Sequence, residues 1–329
     1  MSSLFSKLLM PTLLGMVSSA LFVITDGIFV GRGLGSDALA AVNIVAPLFL
    51  INTGIGLMFG VGASVVASIH LSHGKPKTAR INVTQAVIAL SMLVAAFSAL
   101  IVWRAPGVAC LLGSSERLLV PAVEYIYGAV PFFVFSAMLS AGMFYIRLDA
   151  SPRYAMMCNV VPALLNIVLD YLFIFVFHWG VIGAAVATSL GYIAGAGMVL
   201  WYMLMMGRTI RLCRVKTHLR SLRMTRRNVG YMCRLGFPSL LCEAAIATMM
   251  FAGNYVFIAY LGEDGVAAYS IACYVFPIIF MVYNAIAQSA QPILSYNSGA
   301  RPQRRGVRPA EGYGHARICL LVAFGHCHA

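Results

Sequence analysis

The chain has 329 residues, of which 61% are hydrophobic and only 10% charged, and its mean hydropathy is +0.87. A soluble domain carries about 25% charged residues, so the composition excludes a globule with one anchor and indicates an all-α, polytopic membrane protein. The net charge of +13 does not indicate nucleic acid, because the basic residues lie in the gaps between apolar runs, where lipid headgroups and the positive-inside rule account for them.

The apolar runs predict eight transmembrane helices, each needing roughly 20 residues to cross a bilayer. Span 1 covers about 8–30, with Pro11 in its first turn and Asp26 toward its far end. The glycines that follow (Gly27, Gly31, Gly33, Gly35) make a turn; no strand precedes them and the spacing is not that of a nucleotide loop. Span 2 covers about 39–71 and is rich in Gly, Ala and Ser, which suits close helix packing. A basic loop with Lys75, Lys77 and Arg80 leads to span 3, about 83–103, and a loop with Arg104, Glu116 and Arg117 leads to span 4, about 118–146. Glu124 sits near the start of span 4, within reach of the interface.

Span 5 follows a short loop with Arg147, Asp149 and Arg153. It is almost wholly apolar, yet it carries Asn166 and Asp170, and a spacing of four puts both on one helix face. A carboxylate in hydrocarbon costs at least ~2.5–3.5 kcal/mol, so such residues usually face a protein interior or a wet cavity and act there. His178 reads as a loop residue beside the interfacial Trp179. Span 6, about 181–206, contains Thr188. The long polar linker 207–230 holds eight basic residues and no acid. Span 7, about 231–261, contains Glu243; Glu263 and Asp264 form an acidic turn; span 8 covers about 266–296. The eight cysteines form no CxxC pair and mostly lie in apolar runs, where they read as small core hydrophobes.

Charge orients the chain. Lys7, the 75–80 loop, Arg147, Arg153, the linker and Arg234 fall on one side, whereas the other shows only Arg32, Arg104 and Arg117 beside the acidic turn. The positive-inside rule therefore places the N-terminus in the cytoplasm.

A shift of 227 residues superposes two regions without a gap. Pro11-Thr-Leu-Leu falls on Pro238-Ser-Leu-Leu, and Leu34-Gly-Ser-Asp on Leu261-Gly-Glu-Asp. Six spans separate the copies, and an even number returns the chain to the same side, so the copies are parallel repeats about an axis along the membrane normal. The expected organisation is an N-lobe of six spans (1–206), a basic cytoplasmic linker (207–230), a partial C-lobe of two spans (231–300) and a tail of changed composition (301–329). Asp26 falls on Gly253, so the repeat by itself does not call for an acid there. Spans 1 and 5 both run outward, with Asp26 near an outer end and Asp170 about fifteen residues in, or ~22 Å at about 1.5 Å per residue. Span 6 runs inward and Thr188 is ~12 Å below its start. These depths place Asp26, Asp170 and Thr188 together in the outer half of the first lobe.

Register predicts a counterpart of span 3 at about 310–330, but the apolar stretch there is too short to cross a bilayer. From Arg301 the composition turns to Arg, Gly, Pro and His. The expectation is a coding sequence interrupted or frame-shifted near residue 304, with four spans missing.

At this point the residues resemble the MATE family of multidrug and toxic compound extrusion transporters. The resemblance rests on Asp26-Gly-Ile-Phe-Val-Gly, Asn166-Ile-Val-Leu-Asp170-Tyr-Leu-Phe-Ile-Phe, Gly183-Ala-Ala-Val-Ala-Thr188 and Gln291-Pro-Ile-Leu-Ser-Tyr-Asn297-Ser-Gly, and covers about 8–299. It implies a twelve-span, two-lobe fold and export of cationic or amphiphilic small molecules in exchange for Na+ or H+, with no other cofactor. It also implies that Asp26, Asn166, Asp170 and Thr188 form the cation or proton site of the first lobe, Na+ at Asp26 and Asp170 being the one metal ion in view. Glu243 is a possible C-lobe site, because some members use an acid in span 7. Phe22, one turn before Asp26, stands where the family often has Tyr.

The expected mechanism is alternating access in a monomer of the bacterial inner membrane, in contact with lipid and not with nucleic acid. No Walker motif and no nucleophile–base cluster is visible, so the expectation is a transporter driven by an ion gradient and not an enzyme. The alternatives are a lipid-linked saccharide flippase with the same two-lobe architecture and a non-transporting membrane fragment.

Overall fold

A chain in lipid has no water to satisfy its backbone, so an isolated apolar run must close its hydrogen bonds within itself as a helix. The computed structural model describes residues 2–213 and 219–300, and all the regular structure among them is helical. The helices are α1 (Ser2–Leu34), α2 (Ser36–Ser72), α3 (Pro76–Trp103), α4 (Ala105–Leu111), α5 (Glu116–Ala129), α6 (Phe133–Leu148), α7 (Pro152–Asp170), α8 (Gly180–Trp201) and α9 (Leu219–Ala300). Seven stretches among the described residues are long and apolar enough to cross a membrane, the last being Thr225–Leu261.

The first seven expected spans correspond to these stretches with four differences, and span 8, expected at about 266–296, is not among them. The third helix begins at Pro76 and not near residue 83, because Pro76 takes the first helical turn, where its missing N–H costs nothing. The loop after it contains the seven-residue helix α4, too short for an apolar period to reveal. Span 4 is two helices, α5 and α6, joined by a 3₁₀ turn at Val130–Phe132, where Pro131 removes a backbone donor. The linker is helical from Leu219, and α9 carries the helical assignment through the expected acidic turn. It is not straight. The rings of Phe257 and Tyr269 stack with centroids 4.6 Å apart, whereas a straight helix would separate them by ~18 Å, so the run folds back on itself between them. The tail 301–329 lies outside the described residues.

Within the first lobe the packing follows from buried polar pins and small residues. Asn52 of α2 donates from Nδ2 to the Phe133 carbonyl at 3.2 Å and to Ser136 Oγ at 2.7 Å, and the Tyr145 hydroxyl donates back to the Phe59 carbonyl at 3.1 Å. These bonds lock α2 alongside α6. At the end of the bundle that carries the basic loops, Asp149 is buried and its carboxylate accepts the backbone N–H groups of Arg208, Thr209 and Ile210 at 2.7–3.0 Å and the Tyr202 hydroxyl at 2.8 Å. Arg80 holds the same strand of chain through the Thr209 and Arg208 carbonyls. The start of the linker is thus strapped to the first lobe. Arg147, read from sequence as a loop charge, is only 3% exposed and donates to Gln288 Oε1 at 2.5 Å.

The first lobe meets α9 mainly along α2. A Cβ on Gly62 would run into the Met232 carbonyl, and a Cβ on Gly236 into the Met58 carbonyl, so both glycines are there for close backbone approach. Asn228 donates to Asn82 Oδ1 and Gln85 Oε1, and Gln85 in turn to Thr225 Oγ1. Gln291 Nε2 donates to Ser64 Oγ at 3.4 Å. These two positions are 227 residues apart, the shift that superposes the two copies; equivalent positions touch where a two-fold axis passes between them.

Candidate functional site

Three helices build the site. α1 runs beside α7 in the same direction: Gly15 lies against Met156 and Asn159, and farther along Phe29 meets Phe175 edge to face at 5.8 Å. Between these contacts the same register brings Asp26 to Asp170. α8 runs antiparallel to α7, with Gly191 against the Pro162 carbonyl and Asn166 Cβ, and Gly183 against Phe173. That pairing brings Thr188 to Asn166, whose Nδ2 donates to Thr188 Oγ1 at 3.3 Å. Immediately after Asp170 the helix widens to a π-turn at Tyr171–Val176, a distortion frequent at functional sites.

The four side chains are buried: Asp26 9% exposed, Thr188 5%, Asn166 1% and Asp170 0%. The two carboxyl groups approach closely enough to share a hydrogen bond. As two carboxylates they have no proton with which to make one, and Asp26 Oδ1, both oxygens of Asp170 and Asn166 Oδ1 all lack a donor. An unpaired buried carboxylate costs several kcal/mol even after relaxation (~3–5 by removal of a partner). Four acceptor oxygens from three side chains, converging without a donor, form a cluster that a proton or a small cation would complete. Among the described residues no group of three His, Cys, Asp or Glu is arranged to hold a metal ion, so the cluster has carboxamide, hydroxyl and carboxylate oxygens and no soft ligand, the donor set that suits hard cations.

The depths read from sequence for Asp26, Asp170 and Thr188 agree with this grouping. Glu243 does not join it. Its Cβ lies 3.0 Å from where a Cβ on Gly54 would be, so it packs against α2 where the first lobe meets α9. Glu124 is half-buried on α5. One residue escaped the sequence reading: Tyr192 on α8 is partly buried and within electrostatic reach of Asp26.

The MatE family model matches residues 11–172 and 238–311, most of the chain, and the two matched stretches begin 227 residues apart. The chain belongs to the MatE family. Among curated relatives, it is 23% identical over 301 residues to the multidrug export protein MepA of Staphylococcus aureus, covering 90% of this chain and 64% of MepA. It is 24% identical over 303 residues to the FAD transporter of Shewanella oneidensis, covering 90% and 65%. The chain therefore spans somewhat less than two thirds of the length of these relatives. Among solved structures it is similar to the MATE multidrug transporter DinF-BH, solved as a complex with a ligand, with a TM-score of 0.81 and 25% identity over 98% of this chain and 69% of that one. Membership and helix content together make this MatE chain a polytopic, all-α membrane protein of a transporter family.

Proposed function

We propose that this chain carries the ion-coupling lobe of a secondary antiporter that exports cationic or amphiphilic compounds in exchange for Na+ or H+. The observation that carries the reading is the donor-free cluster of buried oxygens on Asp26, Asp170 and Asn166. Such a site is costly when empty and charged, and relief by a cation or proton gives the ligand a differential affinity for the conformation that holds these oxygens together. That difference is the requirement for an ion to shift a conformational equilibrium. An ion arriving from outside would favour the form that releases cargo outward, and its departure to the cytoplasm would reset the lobe. Thr188 would hold the Asn166 amide so that its oxygen remains directed to the ion. Multidrug export by MepA and the likeness to the multidrug transporter DinF-BH support a cationic or amphiphilic cargo.

The distribution of basic residues supports a cytoplasmic N-terminus in a bacterial plasma membrane, and the protein works as a monomer. The test is dye efflux from membrane vesicles with Na+ and H+ gradients applied separately. Asp170→Asn is expected to reduce ion-driven efflux to background; drug export at the wild-type rate in that variant rejects the reading. The FAD transporter relative favours a second cargo class, a large anionic dinucleotide. Release of FAD in place of a cationic dye from the same vesicles would select it.

A further inference from the structure

Among the described residues, the one buried cation stands where the first lobe meets α9. Arg147, in the last turn of α6, is 3% exposed. Its Nη1 donates to Gln288 Oε1 of α9 at 2.5 Å, its guanidinium lies 5.6 Å from the centre of the Phe144 ring, and its Nε has no acceptor. No acid among the described residues pairs with it. Asp149, two residues on, is occupied by the Arg208, Thr209 and Ile210 N–H groups and the Tyr202 hydroxyl. The surroundings are tight. A Cβ on Gly60 of α2 would lie 2.9 Å from Ala141 Cα and 3.0 Å from the Phe144 ring, and α2 in turn touches α9 at Gly62 and Ser64. A guanidinium taken out of water is costly unless an anion or a full set of acceptors replaces its hydration. Here the replacement is one neutral amide and a ring face. The amide comes from α9, so it is present only while α6 and α9 are together.

We propose that the Arg147–Gln288 contact is a gate between the first lobe and α9 at the end that carries the basic loops, kept reversible because an amide and not an acid receives the charge. Closed, the hydrogen bond and the ring hold a guanidinium that is only partly satisfied. Parted, water hydrates all its N–H groups. An acid at position 288 would lock the junction shut, and an apolar residue there would leave the buried charge with no partner across it. α7 begins just after Arg147 and ends at Asp170, so the contact lies at the opposite end of the lobe from the oxygen cluster. Sealing one end and exposing the other can then be a single movement. This rests on the reading of the chain as a lobe of an alternating-access transporter and adds to it the residues that form the gate.

The experiment measures how fast a water-soluble thiosulfonate modifies a cysteine placed at the junction, in the purified chain in detergent. Ala285 of α9 is fully buried and lies three residues before Gln288 on the same face, so Ala285→Cys reports opening. Peptide mass spectrometry follows position 285 and the native, fully buried Cys158 of α7 in one sample. The reagent needs a hydrated thiolate, so its rate follows the open fraction. Gln288→Met is expected to speed modification at 285 about tenfold, because it removes an acceptor from a charged group. Gln288→Glu is expected to slow it about tenfold through a charge-assisted bond. Arg147→Met in the Gln288→Met background is expected to return the rate to the wild-type value or below, because an apolar pair has nothing to hydrate. Cys158 is expected to stay unmodified throughout. Gln288→Met no faster than the wild type, or Gln288→Glu no slower, overturns the inference. A double variant as fast as Gln288→Met also overturns it, because the loss is then one of packing and not of charge. Modification of Cys158 in step with position 285 does the same, since the substitution then loosens the whole lobe. No modification at 285 in any of these proteins shows a fixed junction and removes the gate, whereas the transporter reading falls only if ion-driven efflux is absent.

Discussion

Asp170 is the least exposed acid among the described residues and has no hydrogen-bond donor on either oxygen. A side chain in that position is not there for the stability of the fold. Replacing it by an isosteric amide removes one of two adjacent charges and supplies two donors. Asp170→Asn is therefore expected to raise stability by about 1 kcal/mol in sodium-free solution, the usual direction when a functional residue is relieved; a thermal melt of the two proteins checks it. A fall in unfolding temperature would mean that the carboxylate has a structural partner. At this scale the sequence was informative for acids and weak for everything else. A carboxylate in an apolar run announces itself by its cost. Tyr192 announces nothing, because an aromatic residue in an apolar helix reads as core, and only the approach of α8 to Asp26 distinguishes it.

At the scale of elements, the helices follow from apolar length, and their joints follow from proline and from polar side chains that cap loose ends. Pro131 sets the 3₁₀ joint between α5 and α6, and Ser115 caps α5 by accepting from the Leu118 N–H. The strongest joint is Asp149, which gathers three backbone N–H groups from a segment some sixty residues later. Asp149→Ala leaves those donors unpaired at the mouth of the lobe and is expected to cost about 2–3 kcal/mol. Proteolysis between residues 207 and 213 should accelerate in step with the loss of thermal stability. Sequence placed Asp149 in a short loop and saw only its charge, because its partners are backbone groups and leave no mark in composition. Arg147 was misread for a related reason: a basic residue at a span end looks solvated until Gln288 is brought against it.

For the whole molecule, the 227-residue shift and the two stretches matched by the family model describe one arrangement, in which α2 of the first copy lies where the copies meet. Gly62 and Gly236 permit backbones to touch there. Gly62→Leu is expected to push Met232 away and cost about 1–3 kcal/mol by overpacking. Thermal unfolding would register the loss, and a spectroscopic distance between labels on α2 and α9 would register the separation. An unchanged unfolding temperature would mean that the two bundles are not held by this contact.

Sequence alone determined that the chain crosses a membrane many times as helices, that it repeats, and that one lobe carries acids at matching depth. Each of these is local or periodic: hydropathy over a span, register under a shift, and rise per residue from a span end. Tertiary structure decided which acids face each other, that Glu243 stands apart, and that Asp149 has partners from a segment some sixty residues later. Those outcomes depend on the rotation of each helix about its own axis, which is set by packing against neighbours. In a run apolar on every side, no local pattern of residues specifies that rotation.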